Sequence, residues 1–231
     1  MTEPPKPVIV TRCADAAEAA QRTAEVLAAA IDGARTIHGA AHVGLSGGSA
    51  VNVFDLLGPM LPDWRDVHLW YVDERVVPLD DEESNHRLAT EHLEAPDATW
   101  HPIAPELGAE GAAAAYANEL GTTTLDVILN GMGPDGHTAS LFPGFPQLTA
   151  DGICVAVHDS PKPPPDRISL TLPKLNESRR IVLLATGASK APMLARVIAG
   201  PDPEVPASLL NRERLEIIAD AAALEGASAD G

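Results

Sequence analysis

Short apolar runs rich in β-branched residues alternate with alanine-rich segments along most of the chain. The runs are almost continuously apolar, which is typical of strands that are buried on both faces and have no polar side to show to water. The intervening segments have the length and periodicity of helices. Strands and helices that alternate in this way build a parallel sheet covered by helices on both faces. The alternation therefore predicts an α/β sandwich with a mainly parallel central sheet.

The predicted elements follow one another without a shift in composition, and we expect one domain over residues 1–231. Strands are predicted at 8–10, 41–45, 67–72, 125–130, 153–157, 167–172, 180–186 and 215–219. Helices are predicted at 14–34, 50–61, 84–93, 105–120 and 189–200, with Ser84 as the N-cap of the third. The proline-rich segment 159–167 is predicted to be an extended surface loop, because a strand pattern resumes directly after it. Ligands in such folds bind outside the carboxyl ends of the strands, so functional residues should follow strands.

The chain is strongly acidic, since 33 Asp and Glu residues against 16 Lys and Arg residues give a formal net charge of −17. Such a surface repels phosphodiester backbones and anionic lipid, so we expect neither a nucleic acid nor a membrane partner. A phosphorylated small molecule is compatible with this charge only if a local island of Arg and Lys surrounds it. The pattern does not distinguish a monomer from an oligomer.

Several absences in the sequence predict a cytoplasmic location. No window approaches the ~18 consecutive apolar residues of a membrane span, and the first residues do not resemble a signal peptide. Cys13 and Cys154 are isolated and lack the spacing of a metal site, so we interpret them as reduced thiols and expect no bound metal.

A first glycine-rich loop, 44–52 with the sequence GLSGGSAVN, lies between a predicted strand and a predicted helix. Gly47 and Gly48 allow the backbone to approach a ligand closely, and a helix that begins near Ser49 offers free N–H groups to a phosphate. Two alternatives remain open. One is a plain tight turn. The other is the G-x-S-x-G nucleophile elbow of a serine hydrolase with Ser46 as nucleophile, although few strands precede it here.

A second loop follows the strand predicted at 67–72 and places Asp73, Glu74 and Arg75 in a row. A carboxylate at a strand end can orient a catalytic base, and a guanidinium can hold an anion in fork geometry. A surface ion pair explains the same three residues, so their meaning depends on which other candidates lie nearby.

A third loop, 131–144 with the sequence GMGPDGHTASLFPG, has the G-x-G-x-x-G spacing of a dinucleotide-binding turn. A dinucleotide site needs a helix of about ten or more residues directly after the glycines and an acid for the ribose further on. Asp159 stands at a suitable distance for the ribose. However, Pro143 and Pro146 interrupt the helix that would be required, so we do not expect a nucleotide.

The same loop offers a histidine and an aspartate, His137 and Asp135. A histidine with a pKa near ~6.5 is mostly neutral at physiological pH and can accept a proton from water. Asp135 would either orient the imidazole or cap a short helix that begins at His137. Two further cations also lie at strand ends. Arg167 opens the strand predicted at 167–172 and Lys190 lies in the segment GASK, so together they form the basic island that a phosphate requires.

The segments GLSGGS, VDERVVP with SNHRLA, GMGPDGHTASLFPG, PKPPPDRISLTLP and GASK, taken in this order, resemble the 6-phosphogluconolactonase family over roughly residues 40–195. The resemblance implies hydrolysis of 6-phospho-D-glucono-1,5-lactone on a modified Rossmann-like three-layer sandwich, with no metal and no other cofactor. It implies His137 as general base with Asp73, Arg75 and Asp135 around it. The phosphate site that it implies consists of Gly47, Gly48, Ser49, Arg167 and Lys190. The family often continues the glycine loop with Thr-Pro, where this chain has Ala50-Val51.

Three other functions compete with the one that the resemblance implies. Glucosamine-6-phosphate deaminases share the fold, but Phe142 stands where they have a glutamate and Arg75 stands where they have a tyrosine, which disfavours deamination. A serine esterase using Ser46 and a non-catalytic sugar-phosphate sensor are the remaining hypotheses. A sensor would carry a helix-turn-helix or a partner segment, and the residues outside the predicted elements are too few for either. We therefore expect an enzyme that hydrolyses a sugar-phosphate lactone.

Overall fold

Ten strands form two sheets in the computed structural model, which describes residues 6–226 except for the side chain of Ser49. The strands are β1 (Ile9–Cys13), β2 (Ala41–Leu45), β3 (Val67–Tyr71), β4 (Asp73–Arg75), β5 (Thr99–Trp100), β6 (Val127–Gly131), β7 (Cys154–Val157), β8 (Arg167–Leu170), β9 (Ile181–Ala185) and β10 (Leu215–Asp220). Seven of them pair in parallel in the order β1-β10-β9-β6-β2-β3-β5 and form the central sheet. The prediction of an α/β fold with a mainly parallel central sheet is confirmed.

The middle strands of the central sheet are the most apolar and the most deeply buried. Every residue of β9 is buried, and so are the first four residues of β6, so these strands have no face in water. Strands β2 and β3 pair residue for residue, from Ala41 opposite Val67 to Leu45 opposite Tyr71. Their carboxyl ends therefore finish at the same level, which places the loops that follow them side by side.

Six helices pack around the sheets in the described part of the chain. They are α1 (Ala16–His38), α2 (Val51–Met60), α3 (Asn85–His92), α4 (Gly108–Leu120), α5 (Leu172–Glu177) and α6 (Ala191–Ala199). Helix α1 lies against α2 and covers β10, β9, β6 and β2, whereas α4 packs on β7 and β8. Helix α1 runs beyond its predicted end at 34, because Gly39, with φ +82°, supplies the left-handed turn that terminates it. Ser84 is confirmed as an N-cap, since its side chain accepts a hydrogen bond from the Arg87 N–H.

Two predicted strands lie outside the central sheet, contrary to the expectation of a single parallel sheet. Strands β7 and β8 pair antiparallel with each other, and β8 also pairs antiparallel with β4, giving a second sheet in the order β4-β8-β7. The reason lies in the connection. A parallel pair needs a crossover of a dozen or more residues, usually a helix, and only the proline-rich loop joins β7 to β8.

Helix α5 was not predicted from the sequence, which was interpreted as a strand up to residue 172. Strand β8 ends at Leu170, and the Thr171 hydroxyl then accepts a hydrogen bond from the Lys174 N–H at 3.3 Å. Pro173 occupies the first turn, where its missing N–H costs nothing. Thr-Leu-Pro is thus a helix-start signal that the apolar pattern of the preceding strand obscured.

The described residues contain neither a membrane-type helix nor a metal cluster. Within residues 6–226, no helix combines the length and the apolar character that crossing a bilayer requires. In the same residues, no group of three or more His, Cys, Asp or Glu side chains is arranged to hold a metal ion. Cys13 and Cys154 are free thiols, and burial raises the pKa of both.

Gly44 provides a test of how tightly β2 and β6 are packed. A Cβ at this position would lie 2.7 Å from Ile128 Cγ2 and 3.1 Å from Val72 Cγ1, which is too close for either carbon. We expect Gly44→Ala to lower the free energy of unfolding by about 1–3 kcal/mol, measured by urea denaturation. The matched control is Gly33→Ala within α1, where a Cβ meets nothing within 4 Å, so a gain of about 0.5–1 kcal/mol is expected. Equal effects of the two substitutions would contradict this account of the packing.

Candidate functional site

A cavity of about 340 Å³ opens at the carboxyl ends of the central strands, where ligands bind in folds of this class. Its walls come from the loops after β2, β6 and β9, from β4 and from the proline-rich loop before β8. The sequence-predicted site residues that line it are Gly47, Gly48, Asp73, Arg75, His137, Arg167 and Lys190. The side chain of Ser49 lies outside the described part of the structure. These seven residues therefore line one cavity, although they come from five separate segments, whereas the predicted Asp135 does not line it.

His137 and Asp135 form a hydrogen-bonded pair beside the cavity. The imidazole Nδ1 lies 2.5 Å from Asp135 Oδ1, and because an ionised carboxylate only accepts, Nδ1 carries the hydrogen. In the neutral ring the lone pair then lies on Nε2, which can act as a base. Burial acts to raise the pKa of the Asp135 carboxyl, but the hydrogen bond and charge of His137, together with Lys162, hold that pKa well below its ordinary value.

The turn that carries this pair is not a helix, so the suggestion that Asp135 caps a helix beginning at His137 is wrong. The segment instead folds back on itself, with the Gly133 N–H donating to the His137 carbonyl at 2.9 Å. Gly136, with φ +84°, adopts the left-handed conformation that this reversal requires. Asp135 therefore acts on the imidazole directly, which is the other role expected for it.

Gly133 lies directly against the hydrogen-bonded pair of His137 and Asp135. A Cβ on Gly133 would lie 2.1 Å from His137 Nδ1 and 2.3 Å from Asp135 Oδ1. No L-residue with a side chain fits there without displacing the imidazole. On its other side the ring packs against Phe142 at 4.7 Å between centroids. Two glycines of the G-x-G-x-x-G spacing thus have a steric explanation, because Gly133 leaves space for the histidine and Gly136 forms a tight turn.

Strand β4 directs its three charged residues to opposite sides. Glu74 is buried, and its carboxylate accepts hydrogen bonds from the backbone N–H groups of Arg75, Asn85 and His86 and from the Ser84 hydroxyl. Glu74 therefore anchors the start of α3 and has a structural role. Asp73 and Arg75 lie on the opposite side of the strand and line the cavity. Asp73 Oδ2 accepts a hydrogen bond from Ser140 at 2.7 Å.

Arg167 and Lys190 contribute positive charge to the cavity at some energetic cost. Burial lowers the pKa of Arg167, with Asp73 opposing this effect and Arg75 adding to it. Burial and the neighbouring Lys162 likewise lower the pKa of Lys190. These cations are partly desolvated and repel one another. An anion placed among them offsets both the cost of desolvation and the mutual repulsion. The cavity is therefore electrostatically suited to a phosphate.

Two cavity residues were missed in the sequence. Lys162 belongs to the proline-rich loop, which was interpreted only as a surface loop, yet it lines the cavity with its Nζ 3.9 Å from Asp135 Oδ1. Asn85 directly follows the recognised N-cap, and its side chain donates to the Asp73 carbonyl at 2.9 Å. Asn85 also lies so close to Gly47 that a Cβ there would be 1.9 Å from Asn85 Oδ1. The glycine at position 47 indicated that another group approaches the backbone closely there, but it did not indicate that this group is Asn85.

The fold and this cavity together define an α/β protein in which Arg and Lys side chains line the same cavity as a histidine at the carboxyl ends of the central strands. A family model described as glucosamine-6-phosphate isomerases/6-phosphogluconolactonase matches residues 14–219. The chain belongs to this family.

Individual relatives agree with that assignment. A protein of Rattus norvegicus named 6-phosphogluconolactonase is 39% identical over 84% of this chain and 81% of its own. A protein of the same name from Mycobacterium tuberculosis is 44% identical over 63% of this chain and 67% of its own. The crystal structure of a 6-phosphogluconolactonase from Shewanella baltica superposes with a TM-score of 0.84 at 29% identity, covering 95% of this chain and 100% of that one.

The close contact between Gly133 and the His137–Asp135 pair can be tested without knowledge of the ligand. We expect Gly133→Ala to displace the imidazole and to abolish the hydrogen bond between His137 and Asp135, observed as a shift of the His137 ring resonances in a proton–nitrogen NMR spectrum. Gly131→Ala is the matched control, because a Cβ there meets only Ser46 Oγ, at 4.0 Å. Unchanged His137 resonances in the Gly133 variant would refute the steric argument.

Proposed function

We propose that the protein hydrolyses 6-phospho-D-glucono-1,5-lactone to 6-phospho-D-gluconate, the second step of the oxidative pentose phosphate pathway. The observation that carries the proposal is that His137, whose ring is hydrogen-bonded to Asp135, lines one cavity with Arg167 and Lys190. A base and an anion site in one cavity are what hydrolysis of a phosphorylated ester requires. The names of the relatives favour this substrate over other phosphorylated esters.

The proposed reaction uses water as nucleophile and forms no covalent intermediate. His137 Nε2 removes a proton from a water molecule, whose oxygen attacks C1 of the lactone. The bond between C1 and the ring oxygen then breaks, and His137 returns the proton to that oxygen. Asp135 holds the imidazole through Nδ1 and stabilises the imidazolium that forms transiently. A lactone is already a reactive ester, so a general base worth ~10² to 10⁴ in rate supplies much of the required help.

Arg75 is the side chain that we assign to the developing oxyanion. Its guanidinium lines the cavity and donates from Nη1 to the Glu83 carbonyl at 2.5 Å. Its Nε is buried and has no hydrogen-bond partner among the described residues. An unused donor of this kind favours an acceptor from the substrate, because a buried donor left alone is costly. One oxyanion donor is typically worth ~10² to 10³ in rate.

The phosphate would be held by Arg167 and Lys190 together with the backbone of Gly47 and Gly48. A short 3-10 helix begins at Gly48, and its free N–H groups can donate to phosphate oxygens. Backbone donors of this kind do not depend on the Thr-Pro that the family often has where Ala50-Val51 stand. Anchoring through the distant phosphate would fix the lactone ring relative to His137.

The alternative functions are less well supported. A serine esterase needs a base bonded to Ser46, and within residues 6–226 the His137 ring bonds only to Asp135, through Nδ1, and makes no hydrogen bond to Ser46. A deaminase needs an acid where Phe142 stands, and that position is a fully buried ring packed on His137. A sensor would not need an oriented base. The lactonase proposal uses each of these features.

Removal of the base tests the chemical step. We expect His137→Ala to lower kcat by about 10²- to 10⁴-fold, measured as proton release from fresh lactone above its spontaneous hydrolysis. His92→Ala is the matched control, because His92 is a surface residue paired with Asp55. Wild-type turnover in the His137 variant would exclude it as the base.

Removal of a phosphate ligand tests the binding step separately. We expect Lys190→Ala to raise KM for the phosphorylated lactone by about 10- to 100-fold with a much smaller effect on kcat, since a charge-assisted hydrogen bond is lost. Unphosphorylated glucono-1,5-lactone serves as the control substrate, and its slow hydrolysis should be unaffected. An equal loss with both substrates would show that Lys190 does not act on the phosphate.

A further inference from the structure

The proline-rich loop that joins β7 to β8 delivers two cations to the cavity, Lys162 and Arg167. Arg167 also holds the loop together, because its guanidinium donates to the carbonyls of Lys162, Pro163 and Pro164 at 3.2, 2.8 and 3.1 Å. The Ser160 N–H donates across the loop to the Pro165 carbonyl at 2.9 Å. These contacts fix the shape of the loop, and Arg167 itself is held in β8 by pairing with β4 and β7. Lys162 lies in the middle of the loop, outside these strands.

His158 occupies the base of this loop and connects it to α4. Its Nδ1 lies 2.8 Å from Asp166 Oδ1, at the other end of the loop, and its Nε2 lies 2.6 Å from Glu110 Oε1, on α4. Both partners are carboxylates, which accept and do not donate when ionised. The ring can satisfy both contacts only when both nitrogens carry hydrogen, which is the imidazolium form.

We propose that His158 is a positioning residue whose protonated ring links the proline-rich loop to α4 and so holds Lys162 in the cavity. The inference rests on the proposed function only in that the cavity binds a phosphorylated ligand. When the ring loses its proton, one of the two carboxylates loses its donor. The side-chain link between the loop and α4 is then weakened, and affinity for the phosphate falls.

The charges around the ring determine the direction of the pH dependence. Asp166 and Glu110 are the charged groups that face His158 from the elements packed against it in the described chain. Hydrogen bonds to both raise the pKa of His158 above its ordinary value. A group with a raised pKa contributes fully below its unfolded-state pKa, and the contribution is lost as the pH rises through the folded-state value. The loop is therefore fastened at mildly acidic to neutral pH and released above it.

The effect should be modest, because His158 is about half exposed and water screens the two ion pairs. Glu110→Ala removes the α4 partner without touching the loop, and Glu110 is exposed, so the variant should fold. At about pH 6 we expect its KM for the phosphorylated lactone to be roughly twofold to fivefold above wild type, with kcat unchanged. At about pH 9 the two KM values should converge. Taking the ratio at each pH removes the titration of the substrate phosphate.

Two further variants make the result specific. His158→Arg retains a cation at all pH values, so its KM ratio to Glu110→Ala should stay constant with pH instead of converging. Glu106 is an exposed carboxylate just before α4 that is not bonded to His158 in the described chain, so Glu106→Ala should behave as wild type. A KM ratio of wild type to Glu110→Ala that does not change with pH would overturn the proposal.

A measurement that needs no substrate separates this proposal from the lactonase proposal. Hydrogen exchange of the 158–167 segment should be faster in Glu110→Ala than in wild type at about pH 6 and equal at about pH 9. That difference should appear even if the lactone is not hydrolysed. Identical exchange in both proteins at both pH values would refute the role of His158, whatever the substrate.

Discussion

The arrangement of the cavity depends on one buried carboxylate, that of Glu74. Burial raises the pKa of this carboxyl, and the hydrogen bonds from three backbone N–H groups oppose that rise, while the Ser84 hydroxyl also donates to it. Three of the four donors belong to the start of α3, so β4 and α3 are held in one relative position. Because residues alternate across a strand, Glu74 facing inward places Asp73 and Arg75 on the cavity side. Glu74, which does not line the cavity, thus sets the positions of Asp73 and Arg75, which do.

Glycines supply a second constraint, because they let polar side chains lie close to the backbone at the strand ends. Gly47 and Gly133 bear no Cβ, and the space that a Cβ would need is occupied by Asn85 in one case and by His137 with Asp135 in the other. The polar side chains therefore lie directly against the backbone at the strand ends. A substitution at either glycine would move the polar group and not merely crowd it. Each loop is held in place because neighbouring side chains occupy the space beside its glycine.

The sequence predicted the parts of this arrangement that depend on local patterns. Continuous apolar strands such as β9, the cap at Ser84 and the candidate residues at strand ends follow from short-range rules. The second sheet could not be found in this way, because the three-residue β4 is defined only by pairing with β8, which is distant in sequence. Lys162 was missed for a similar reason. Its position depends on Arg167 drawing the proline carbonyls inward, which no spacing in a loop of prolines reveals.

Electrostatics links the acidic surface to the basic cavity. A net charge of −17 repels a sugar phosphate at long range, but exposed charges are screened beyond ~8 Å at physiological ionic strength. Inside the cavity, Arg167 is 5% exposed, and screening by water is weak there. A dianion that reaches the mouth therefore interacts mainly with the few cations held around it. Because those cations are partly desolvated and repel each other, their attraction for a phosphate depends on the protein keeping them in place. Affinity in such a site is determined less by how many cations line it than by the contacts that fasten the loops carrying them.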